Sequence, residues 1–285
     1  MIYSNRKQAP LYLIIFISFF SYSIVAQPGT KHATSILDGN AVPKQHVRHD
    51  DVLWMKTVWQ RIDLRERMNH PLYFTTSPTQ HRASLFDVLL DLTLEEGVIN
   101  TYDPGILGDD DMMITTLSRA DLKERLISRD TVQRESLFED GQFESVELVN
   151  KVGSEDVAAY DIKETWFIDR NRSVMEVRIV GICPVMAVYD DETGEFRGTK
   201  RLFWIYYPDL RDQLLRNSYY NPNNDLQSIS LVRMFDERRF SSHITKVSNV
   251  YDRTIGAYQS PMDALLTGAE EEEKIRNLEL DMWNY

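Results

Sequence analysis

Between Asp161 and Arg211 apolar and polar residues alternate in a way that predicts a sheet running into a helix. In a strand starting at Val174, the spacing places Met175, Val177, Ile179 and Cys183 on one face, with Gly181 between the last two. Glu176 and Arg178 fall on the other. The run from Ile162 to Ile168 precedes it, and the polar stretch from Asp169 to Ser173 has the composition of a hairpin turn. Pro184 predicts that Val185 to Tyr189 is an edge piece or follows a bulge. Leu202 to Tyr207 carries large apolar groups on both faces, which predicts a central strand covered on both sides. Pro208 ends it and opens a short helix from Asp209 to Arg216.

Helical spacing dominates elsewhere. Met55, Val58, Trp59 and Ile62 predict a first helix over Asp51 to Arg67, and Leu85, Val88, Leu89 and Leu92 a second over Ser84 to Glu96, stopped by Gly97. Leu72 to Phe74, Val98 to Tyr102 and Met112 to Leu117 read as short strands, and Ser118 to Asp121 as a helix start. Thr131 to Gly153 is charged and irregular. A helix over Ile229 to Phe240 carries Arg233, Arg238 and Arg239 around Asp236 and Glu237, which reads as a solvated face. A strand is expected within Ser242 to Val250. A last helix over Pro261 to Trp283 has a stripe of Leu265, Ala269, Ile275, Leu278 and Met282, with acidic Glu270 to Glu273 ahead of Lys274 and Arg276. The fold class is therefore α+β, a mostly antiparallel central sheet at about 161–207 flanked by N-terminal and C-terminal helices.

The N-terminus sets the compartment. Arg6 and Lys7 precede an apolar run from Leu11 to Val25, and Ala26 offers a cleavage position, the pattern of a secretory signal peptide over 1–26. Residues 27–50 are polar, with two Gly and two Pro, and read as a flexible leader to a single domain over 51–285. Removing Arg6 and Lys7 takes the formal charge from −12 to −14, a poor match to nucleic acid or anionic lipid. The single cysteine, Cys183, excludes an internal disulfide, and its position on an apolar strand face reads as a small buried hydrophobe. Gln27, not Cys, follows the signal sequence, so no lipid attachment is expected there.

Candidate chemistry is sparse. His46, His49 and Asp50 have metal-like spacing in a segment that gives no sign of a helix. Asp109, Asp110 and Asp111 are clustered carboxylates without the alternating calcium-loop pattern, so a calcium-dependent adhesin is the weaker alternative. The chain has no phosphate loop, nucleophile elbow or paired-histidine helix. A hydrolase would have to assemble a carboxylate pair in three dimensions. On residues alone, a binding or structural role is favoured and no metal or cofactor is expected.

Several blocks together resemble the gliding motility GldN/PorN family: Asp51-Val52-Leu53-Trp54 with Ile62 to Asn69, Lys163 to Asp169 with Val177 to Ile182, and Leu202-Phe203-Trp204-Ile205-Tyr206-Tyr207-Pro208-Asp209-Leu210-Arg211. Arg239 to Ser242 and the ending Leu280 to Tyr285 complete the match, with Asn284 where the family more often has an acidic residue. The resemblance implies a periplasmic subunit of the type IX secretion system of Bacteroidetes. It would build a ring with an outer-membrane lipoprotein of the GldK/PorK type and contact the trans-periplasmic motor components. No catalytic residue is implied. A ring requires two different patches per subunit, each burying about 800 Å² per partner. The expected interface residues are the aromatics Tyr219, Tyr220, Trp283 and Tyr285, with the 131–153 segment as a further patch.

Overall fold

The structure, a computed structural model, describes residues 43–74, 83–106, 108–135, 143–190, 193–219 and 229–283. The expected signal peptide and most of the leader, residues 1–42, lie outside these. An eight-stranded, wholly antiparallel sheet organises the described residues. Its long strands are β1 (Val52–Asp63), β6 (Val157–Asp169) and β7 (Val174–Tyr189). Shorter members are β2 (Thr101–Tyr102), β3 (Thr116–Leu117), β8 (Phe196–Arg201), β9 (Trp204–Tyr206) and β12 (His243–Val247). The order is β12-β1-β6-β7-β9-β2-β3, with β8 also on β7.

The expected N-terminal helix is β1. A spacing of four fits both helix and strand periods, and the residues behind the helical reading form two such pairs, Met55/Trp59 and Val58/Ile62. The strand separates them onto opposite faces. Val52, Trp54, Thr57, Val58, Trp59 and Ile62 are β-branched or aromatic and favour the pleated surface, where β1 pairs with β6 over nearly its whole length. Leu72 to Phe74 is also not a strand. His70–Tyr73 forms a helical turn, α1, with Pro71 in its first turn.

Most other expectations hold. Ser84 caps α2 (Leu85–Leu90) by accepting from the Asp87 N–H, a π turn continues it to Glu95, and Gly97 turns the chain away at φ +62°. Ser118 caps α3 (Arg119–Leu126) in the same way. α4 (Tyr207–Leu214) has Pro208 at its entry, α5 (Leu231–Asp236) is half the predicted length, and α6 (Pro261–Trp283) has the predicted bounds. The segment read as irregular, Thr131 to Gly153, instead belongs largely to a hairpin of β4 (Ile127–Glu135) and β5 (Phe143–Lys151), separate from the main sheet. β10 (Ser218–Tyr219) and β11 (Ile229–Ser230) form a further small pair.

Pro184 lies inside β7. Its carbonyl accepts from the Leu202 N–H at 3.0 Å. A strand residue's N–H and C=O point to the same edge, so the missing proline donor faces the gap where β7 exchanges β9 for β8 as its neighbour. A second irregularity matters more. Lys163 pairs with Gly181 but Glu164 pairs with Ile179, so Val180 is a bulge. The extra residue reverses the side-chain alternation. Ile179 and Cys183, expected on one face, lie on opposite faces.

The helices pack on one face of the sheet. Ile62, Tyr160, Ile162, Ile182 and Ile205 meet side chains of α1 to α5 in the main core. Val58, Ile244 and Val247 meet Ala264 and Ile275 of α6 in a second cluster on the same face. The buried side of α6 runs through Ala264, Gly268 and Ile275, whereas the predicted Leu265 and Ala269 are exposed. Gly268 sets the contact: a Cβ there would stand 2.6 Å from the Ile244 carbonyl oxygen. Where both faces are covered, at β9, Trp204 and Ile205 are fully buried, as expected of a central strand.

Candidate functional site: the second face of the sheet

The face turned away from the helices carries Trp59 and Arg61 of β1, Asp161 and Lys163 of β6, Gly181 and Cys183 of β7, and Lys246 of β12, aligned by the strand register. Asp161 is buried and held by two guanidinium groups. Arg61 donates from Nε at 2.6 Å and Nη2 at 2.9 Å, and Arg201, at the end of β8, donates from Nε at 2.7 Å. Burial works against the charged carboxylate, but the hydrogen bonds and charges of Arg61 and then Arg201 outweigh it and hold Asp161 below the usual carboxylate range. The three groups together retain one positive charge. Burial also lowers the imidazole of neighbouring His243, helped by the Arg61 charge.

One strand pair further on, Trp59 sits between two lysines. Lys246 Nζ lies 4.3 Å from its ring centroid and Lys163 Nζ 5.4 Å. Both lysines bind Asp111, Lys163 at 3.1 Å and Lys246 at 3.5 Å, and Lys246 also binds Asp252 at 2.7 Å. Trp59, Cys183 and Trp204 form a small apolar cluster here, with Met113 against it. Cys183 has no exposed surface, and burial, then the Asp161 charge, pushes its thiol far up, which leaves it inert as a nucleophile.

The connection between β2 and β3 is laid over this face. Arg201 Nη1 donates to the Gly108 carbonyl at 2.7 Å and Lys163 to the Asp111 carbonyl at 2.8 Å. Met113, at φ +54°, drops over Gly181, where a Cβ would meet its sulfur at 2.9 Å. The aspartates at 109–111 thus act as docking groups: Asp111 binds lysines, Asp109 lies 3.6 Å from Arg201 and Asp110 accepts from the Met112 N–H. Among the described residues no group of His, Cys, Asp or Glu is arranged to hold a metal ion.

On the helix face the second buried carboxylate, Glu164, accepts from Arg238 at 2.6 Å and from the Trp166 indole at 2.9 Å. Arg238 is therefore not part of a solvated helix face. Asp161 and Glu164 point to opposite sides of β6, and each is taken up by arginine, as is the buried Asp169 at the end of the strand by Arg172. The end of the expected leader is anchored as well: the Gln45 carbonyl accepts from Arg178 at 2.5 Å and Lys44 lies 3.6 Å from Asp236.

Of the predicted interface aromatics, Tyr219 is the one whose side chain is among the described residues. Tyr219 is 8 % exposed and packs in the main core, which removes it as a surface anchor. Tyr220 and Tyr285 lie outside the described residues, as does the side chain of Trp283, the last residue of α6. Sequence reading missed the Arg61–Asp161–Arg201 cluster. Its available signal was an aspartate within the apolar run from Val157 to Ile162.

Comparison with curated proteins returned no match. A family model described as gliding motility associated protein GldN matches residues 47–284, a span covering the whole sheet and both of its faces. The chain belongs to the GldN family, and with it to the proteins associated with gliding motility and type IX secretion.

Proposed function

We propose that this chain is a non-enzymatic structural subunit of the periplasmic ring of the type IX secretion system. It assembles with an outer-membrane lipoprotein of the GldK/PorK type and with further copies of itself, and it supports both secretion and gliding. The observation that carries this reading is the family match across nearly all of the described chain. The site chemistry agrees with it. Asp161 and Glu164, the carboxylates buried in the middle of β6, are committed to arginines. No helix among the described residues is long and apolar enough to cross a membrane, which fits attachment through the lipoprotein. Arg6, Lys7 and the apolar run after them supply the export signal.

The test is light scattering after gel filtration of the mature chain co-expressed with the lipoprotein encoded for the same system. A shared peak of very high mass is expected. Two separate monomer peaks overturn the reading.

A further inference from the structure

The ribbon of β4 and β5 is separate from the main sheet. It pairs nine residues with nine, from Ile127 opposite Lys151 to Glu135 opposite Phe143. At its base the Val152 N–H donates to the Leu126 carbonyl at 2.9 Å. Among the described residues neither strand has a strand neighbour on its outer edge. A two-stranded ribbon alone is marginal in water and gains stability from further strands. An open edge about 30 Å long is a template for pairing with another chain. The two strands carry three basic residues and four acidic ones, so two ribbons can approach without the repulsion expected between copies of an otherwise acidic chain.

The sequence of β4 identifies the partner edge. Around Val132 it reads Arg129-Asp130-Thr131-Val132-Gln133-Arg134-Glu135. Lay this strand antiparallel on itself, with Val132 opposite Val132 of a second copy. Arg129 then stands opposite the second copy's Glu135, Asp130 opposite its Arg134, and Thr131 opposite its Gln133. All four charges of the strand meet an opposite charge, and the two-fold axis repeats each pair. A shift of one residue destroys the match, setting Arg129 opposite Arg134 in one direction and Asp130 opposite Glu135 in the other. β5 has two acidic residues and one basic, so no register on itself matches all of its charges. The ribbon's own register extends the contact inward, because Val146 pairs with Val132 and Glu144 with Arg134 within each copy. The joined sheet of four strands has a row of four valines at its centre. In the rows on either side Asp130, Arg134 and Glu144 alternate in charge. β-Branched and opposite-charge cross-strand neighbours both favour pairing. We propose that β4 is a self-complementary edge at which two copies of this chain join their ribbons into one four-stranded antiparallel sheet. The contact is isologous, so it joins copies in pairs and is separate from the head-to-tail contacts that close a ring.

The experiment measures the mass of the mature chain by sedimentation equilibrium at about 0.15 M salt. A dimer is expected. Within the ribbon the positions opposite Arg129 and Glu135 are Val149 and Phe143, so changing these two charges tests the contact between copies. Arg129→Glu and Glu135→Arg are each expected to weaken the dimer about tenfold or more by setting like charges opposite one another. The variant with both substitutions is expected to dimerise again. An equimolar mixture of the two single variants is expected to form the mixed dimer, in which every charge is matched once more. Misfolded variants would do neither. Cross-linking gives a second readout: Cys183 is buried, so in Val132→Cys the introduced thiols are the accessible ones, and a short bis-maleimide is expected to join two chains there. A mature chain that stays monomeric, a dimer unchanged by both charge reversals, single variants whose mixture forms no mixed dimer, or absence of the cross-link overturns the proposal. The lipoprotein is absent from these measurements, so their outcome is independent of the assembly test above.

Discussion

Arg238 reaches from the end of α5 to Glu164 in the middle of β6, donating at 2.6 Å to a carboxylate with no exposed surface. The same guanidinium donates to Gln60 at 3.1 Å and lies 5.5 Å from the Trp166 ring centroid. One side chain thus closes a polar belt between the two apolar clusters on the helix face. Arg238 itself holds φ +50°, so the turn after α5 is bent to deliver it.

Removing that partner leaves a buried charge uncompensated. Arg238→Met is expected to lower unfolding free energy by about 3–5 kcal/mol. The paired change to Arg238→Met with Glu164→Gln is expected to recover part of that loss. Urea unfolding of the wild type, the two single variants and the double variant measures both, and additive losses would show that the two groups do not interact.

Gly268 has no room for a side chain against β12. Gly268→Ala is expected to cost about 1–3 kcal/mol through overpacking, although alanine favours helix. Hydrogen exchange should show the loss first in α6 and β12. A gain in melting temperature would mean that α6 is not held by this contact.

The acid limb of stability has two parts with one sign. His243 and Asp161 both titrate lower in the folded chain than in the unfolded one. The folded state then binds fewer protons, so each contribution is complete above the unfolded pKa and is lost as pH falls through the folded one. Thermal stability is expected to decline first below neutrality, through His243, and again in the carboxylate range, through Asp161. His243→Gln should flatten only the first step. Stability rising between pH 7 and pH 4 would contradict the His243 assignment, and stability rising on further acidification that of Asp161.

Cys183 should stay unmodified by thiol reagents while the chain is folded and react at the rate of unfolding. Fast labelling of native protein would show that the cluster of Trp59, Trp204 and Cys183 opens readily.

Much of this organisation was legible in local sequence. The caps Ser84 and Ser118, the stop at Gly97, the entry proline of α4 and the bounds of α6 depend on residues within a turn of one another, and local chemistry settles them. The class, α+β with an antiparallel sheet, followed from Asp161 to Arg211, and the family from short blocks in a fixed order. Tertiary pairing decided the rest. Met55/Trp59 and Val58/Ile62 satisfy a helix and a strand equally, and only β6 lying alongside chooses the strand. Gly181 marks the neighbourhood of the bulge at Val180 but does not fix its position, and the bulge sends Cys183 and Ile179 to opposite faces. The Arg61–Asp161–Arg201 cluster joins positions up to 140 residues apart, with Asp161 of β6 between Arg61 of β1 and Arg201 of β8. A charged residue in a strand records only that it needs a partner, and long-range strand register, set by backbone hydrogen bonding and burial, determines which partner it meets.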